Sequence, residues 1–185
     1  SISLIASYIV TNNPQIVNKI SPIIAKIFTP MVTLMLFLFI MGIMVTGKNP
    51  TLDREFLLIL NALLVGVMAL IIFSLQEMTK SGKQTIQLYT LLALSIITIL
   101  INCVALYSII FRLVEFGFSA NRVAVIGADI FIFTHLVLLT RKMFLLNQSK
   151  VSVTEVENTG GNYLAVYFIW VSFVVFLLPL IFNFK

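Results

Sequence analysis

Hydrophobic positions in this chain come in long runs, not in alternation and not in a single helical stripe. Five runs, over 27–45, 56–75, 91–111, 123–139 and 163–182, are almost unbroken. Each approaches the roughly 20 apolar residues that a helix needs to cross about 30 Å of hydrocarbon. The runs are apolar at both parities, so the alternation of a transmembrane β-barrel is missing. In lipid every peptide group has to be bonded within its own segment, which predicts a helix for each run. The fold class that follows is all-α: a polytopic transmembrane bundle of five spanning helices over 23–185.

Polar residues fall where such helices should begin and end. Pro22, Lys26 and Pro30 mark the entry to the first span, and Gly47, Lys48, Asn49 and Pro50 its exit. Thr51, Asp53, Arg54 and Glu55 open the second span, and 79–83 leads from it to the third. The third and fourth are joined by 115–119, with Ser119 placed to cap the helix that follows. The longest connection is 141–162. Within it 151–157 alternates with period two, which predicts a short strand or a stretch lying on the membrane surface. Residues 1–10 are apolar but too few to cross. The stretch 1–22 therefore reads as the end of an upstream segment or an interfacial stretch, and the chain as part of a longer multi-pass protein.

Composition agrees with the pattern. Of the 185 residues 60% are hydrophobic and 10% charged, against about 25% charged in soluble domains. Twelve Lys and Arg against seven Asp and Glu give a net +5, but the cations are scattered and form no nucleic-acid-binding face. A single cysteine, Cys103, closes no disulfide within the chain. Seven of the cations flank the side of the N-terminal segment and five the other. The positive-inside rule then places the N-terminal segment in the cytoplasm.

Candidate chemistry is sparse. Asp129 lies inside the fourth span, where a carboxylate facing lipid would be expensive and so needs a partner or a polar cavity. Arg122 is seven residues earlier on nearly the same face, about 10 Å away along the axis and too far for a direct bond. His135 falls about 120° around the helix from Asp129. Its expected partner is a carbonyl or hydroxyl on an adjacent helix. Asn61, Ser95 and Asn102 read as interhelical hydrogen-bonding groups, Ala62 with Gly66 and the row Ala120, Ala124 and Ala128 as packing seams, and Tyr163, Tyr167 and Trp170 as interfacial anchors. Phosphate-binding loops, nucleotide-binding glycine motifs, zinc-protease motifs and nucleophile elbows are all missing from the sequence. No catalytic residue, cofactor site or metal site is predicted.

One stretch concentrates charge between two spans: Arg112, Glu115, Phe116, Gly117, Ser119, Asn121 and Arg122. Arg112 and Glu115 are three apart and spaced to pair on the last turn of the third helix. Gly117 permits a sharp reversal. Arg122 falls in the first turn of the next helix, which disfavours a cation, so a carboxylate or lipid phosphate is expected to hold it. The stretch reads as a helical hairpin or, more sharply, as a headgroup or partner-docking site.

The order Arg-x-x-Glu-aromatic-Gly-x-Ser/Thr-x-Asn-Arg resembles the hallmark of a widespread bacterial multi-pass membrane family of unknown function. Phe116 and Ser119 stand where Tyr and Thr are more usual there, and Asp129 where an apolar or aromatic residue is. The resemblance covers about 18–143 and corresponds to the C-terminal half of longer members. It implies a bacterial inner-membrane location and brings no activity, catalytic residue or substrate. The function read from the sequence is a non-enzymatic membrane subunit or scaffold. Such a protein acts through helix packing, through membrane lipids, and through protein partners or the remainder of a longer chain. The alternative is a transporter or channel component with a polar site around Asp129.

Overall fold

The computed structural model describes residues 14–46, 54–81 and 85–182, with side chains over 22–46, 55–78 and 85–182. Expectations for 1–13, for the exit and entry residues at 47–53, and for Gly82 and Lys83 lie outside the described residues. The chain is all-α, and no strand occurs among the described residues. The helices are α1 (Pro14–Thr46), α2 (Arg54–Ser81), α3 (Thr85–Phe116), α4 (Ala120–Asn147), α5 (Val153–Asn162), α6 (Leu164–Ser172) and α7 (Leu178–Ile181), with a π-helical turn, Phe173–Leu177, between the last two. Among the described residues five segments are long and apolar enough to cross a membrane: Pro22–Thr46, Glu55–Met78, Thr85–Phe116, Ala120–Asn147 and Val153–Ile181. This is an integral, multi-pass membrane protein.

α3 sits at the centre, packed against α1, α2 and α4, and its pairing with α4 is the most extensive. α5 lies against α2 and α4, and α6 against α4. Because the spans are apolar all round, hydrophobic periodicity does not say which face turns inward. Polar residues do. The buried face of α3 carries Ser95, Thr98, Asn102 and Ser108 among its leucines and isoleucines. The buried positions of α4 follow helical spacing through Asp129, Ile132, His135, Leu139, Met143 and Leu146. Lipid offers no hydrophobic drive for helices to associate, so close packing and hydrogen bonds set these faces. Thr29 Oγ1 donates to the Ala25 carbonyl at 2.6 Å and lies 2.8 Å from Ser74 Oγ. One hydroxyl has one proton, so Ser74 is the donor in the bond that ties α1 to α2.

Four expectations change. α1 runs unbroken through Pro22 and Pro30, which are interior residues and not entry points; neighbouring helices and hydroxyls make this tolerable in a membrane. α4 continues to Asn147, beyond the anticipated end at Leu139. The connection 141–162 shrinks to 148–152. The period-two stretch 151–157 is helical: Ser152 caps α5, its Oγ accepting from the Glu155 N–H at 3.3 Å. Val156 and Gly160, four apart, are the buried positions of α5, so the alternation was too short to outweigh a good cap and a helical face. Lys142 Nζ approaches Glu155 Oε2 at 3.8 Å, an exposed pair of little energetic weight. Further on, Pro179 has no N–H to offer the Val175 carbonyl. There the ladder widens, with the Leu178 N–H bonding the Phe173 carbonyl.

Candidate functional site

The charged stretch between α3 and α4 folds as a capped hairpin. α3 ends at Phe116, and Gly117 follows at φ 75°, the left-handed conformation that glycine adopts freely after a helix. Ser119 is extended, at φ −144° and ψ 155°, and its Oγ accepts from the Arg122 N–H at 3.4 Å. The Arg122 side chain turns back across the hairpin. Its Nη1 donates to the Phe116 carbonyl at 2.7 Å and the Gly117 carbonyl at 2.6 Å. Backbone carbonyls, and no carboxylate among the described residues, hold this nitrogen of Arg122. The cation sits close to the start of α4 because it satisfies the open carbonyls at the end of α3.

The expectation for Arg112 is corrected. It forms no ion pair with Glu115, which is exposed. Its guanidinium lies 5.8 Å from the centre of the Phe116 ring, and that of Arg122 lies 5.6 Å from the same ring. Arg112 Nη1 is buried without a hydrogen-bond partner. A cavity of about 240 Å³ opens beside it between α2, α3 and α4, with Asn61, Arg112, Ser119, Asn121 and Arg122 as its polar lining. Asn61 does not bond to another helix as expected; its Oδ1 is buried and unpartnered.

Asp129 and His135 lie away from this cavity. Asp129 is 1% exposed, its Oδ2 has no partner, and Arg122, the nearest cation on its own helix, is committed to the turn. His135 is fully buried. Its Nδ1 and the Tyr167 hydroxyl are 3.1 Å apart, as anticipated for a hydroxyl on an adjacent helix. The Tyr163 ring stacks on the imidazole at 4.3 Å between centroids. Tyr163, Tyr167 and Trp170 fasten α6 and the turn before it to α4. Trp170 packs on Phe131 at 5.3 Å, and its indole lies so close to Gly127 that a Cβ there would overlap the ring. Tyr167→Phe, which removes the hydroxyl and keeps the ring, should lower stability by only about 0.6 kcal/mol. Thermal unfolding in detergent reads this, and Tyr167→Ala should lose several times more.

The remaining polar groups mostly serve their own helices. Ser95, Thr98 and Ser108 donate to the carbonyls of Leu92, Leu94 and Val104. Asn102 is fully buried with neither end of its amide bonded, so neither Ser95 nor Asn102 makes the expected interhelical bond. Ala62 and Gly66 are exposed, with nothing near Gly66; the anticipated seam has no partner helix within the described chain. Among the described residues no three His, Cys, Asp or Glu side chains come together. Comparison with protein-family models, curated proteins and solved structures returns no match.

Proposed function

We propose that this chain is a non-enzymatic membrane subunit or scaffold. It acts through helix packing, lipid contact and protein partners or the remainder of a longer chain. The closure around Asp129 carries this reading. The carboxyl is 1% exposed and does not line the cavity at the α3–α4 turn, whereas a conduit needs a polar cavity open to one side at that depth. α1 supports it as well, since only 11% of its most apolar window is buried, leaving surface for lipid or another helix. The resemblance of 112–122 to a bacterial multi-pass family supports a bacterial inner membrane as the location.

One observation favours transport as a second reading. Asp129 Oδ2, both ends of the Asn102 amide and His135 Nε2 are buried without partners, which is expensive unless water or an ion visits. Proton flux in vesicles separates the two. With the chain reconstituted and an internal pH dye, flux should match protein-free vesicles, and Asp129→Asn should fold and behave identically. Flux that depends on Asp129 would overturn the scaffold and establish the transporter.

A further inference from the structure

The cavity at the α3–α4 turn holds more hydrogen-bond donors than its own chain uses. Among the described residues no group accepts from the Arg112 guanidinium, and its Nη1 is buried. Arg122 spends one nitrogen on two carbonyls and keeps the donors on Nη2 and Nε, since a guanidinium carries five N–H groups in a planar fork. Both cations approach the same Phe116 ring, so two positive charges share one small site. Among the described residues no Asp or Glu lines it. Ser119 and Asn121 add a hydroxyl and an amide, and rotation of the Asn61 amide presents its NH2.

An unpaired cation partly withdrawn from water is costly, and an anion of matching shape offsets that cost. The cavity volume, about 240 Å³, holds several waters at about 30 Å³ each, or a phosphate group in their place. α3, at 32 residues, is about 48 Å long and overreaches a hydrocarbon core of about 30 Å, so one or both of its ends reach headgroup depth. Phe116 and Phe118, 56% and 72% exposed, flank the turn as aromatic residues do at that level.

We propose that this cavity binds a phosphate group, gripped by the forked donors of Arg112 with Arg122 beside it. The ligand class is a phosphate mono- or diester, carried by an anionic lipid headgroup or by a small soluble phosphate. The site goes beyond the packing role and stands apart from it: proton flux through Asp129 would leave phosphate binding untouched.

The test uses the full chain in neutral detergent with three probes: phosphatidylglycerol, inorganic phosphate, and diacylglycerol as the phosphate-free lipid. Thermal unfolding is read alongside phenylglyoxal modification of arginines by peptide mass spectrometry. Phosphatidylglycerol or inorganic phosphate should raise the unfolding temperature saturably and shield Arg112, while exposed Arg141 keeps reacting and diacylglycerol does neither. Arg112→Gln should weaken binding by about tenfold or more, the loss expected for hydrogen bonds between charged partners. Shielding by the lipid alone identifies a headgroup, and by the inorganic ion alone a soluble phosphate; both together support the shared chemistry. Equal reactivity of Arg112 with and without either phosphate probe, no reaction at any time, or unchanged affinity in Arg112→Gln would overturn the proposal. Shielding in the unmutated protein decides alone if Arg112→Gln does not fold.

Discussion

Gly127→Ala should lower the thermal unfolding temperature of the purified protein in detergent, corresponding to about 1–3 kcal/mol, the range for overpacking a filled interior. The added methyl would occupy the position of the Trp170 indole. That ring has little freedom to yield, being stacked on Phe173 at 5.2 Å and tilted against Phe131 at 5.3 Å. Moving it away from α4 loosens α6, whose other neighbour outside its own continuation is the short, polar α5. Gly127→Ala combined with Trp170→Leu should recover part of the loss, because the smaller side chain leaves room for the methyl. Gly66→Ala is the control: nothing lies near its Cβ position, and alanine is the better helix former, so it should be neutral or stabilising. Equal losses at both glycines would show a general intolerance of methyl groups and would refute the contact with Trp170.

The sequence made the spans legible because the bilayer constrains length and polarity together. α2 and α3 each contain the hydropathy run expected for them and extend past it by up to six residues at an end. The inward faces of α3 and α4 were readable only through their polar residues: Ser95 and Asn102 on one, Asp129 and His135 on the other, all buried. Partners were not readable. Arg112 and Glu115 have helical spacing for an ion pair, but spacing does not fix where either side chain turns, and Arg122 found its acceptors in the carbonyls freed at the end of α3. Asn61 joined the turn from α2, a juxtaposition fixed by tertiary packing. Tyr163 and Tyr167 sit where interfacial anchors sit, and only the position of α6 against α4 reveals that His135 engages both. A glycine beside a row of alanines on α4 was the one available hint of Gly127, and it did not point to Trp170.

The two arginines of the turn should separate cleanly in a stability measurement. Arg122→Ala leaves the Phe116 and Gly117 carbonyls without their donor. A hydrogen bond to a charged group is worth about 1.5–3 kcal/mol when buried. Both of these are solvent-exposed, and screening reduces the expected loss to about 1–2 kcal/mol for the pair. Arg122→Lys should fall between, since an ammonium is a point charge on a flexible stem and cannot span two carbonyls as a fork does. Arg112→Gln, measured without added phosphate, should stay within about 0.5 kcal/mol of the unmutated protein, as a substitution that breaks no hydrogen bond or ion pair. The physical reason for the asymmetry is commitment. One guanidinium is built into the backbone of the hairpin; the other stands beside the cavity with its donors unused. A loss at Arg112 as large as that at Arg122 would mean that both hold the turn together, and the division of roles between the two arginines would fail.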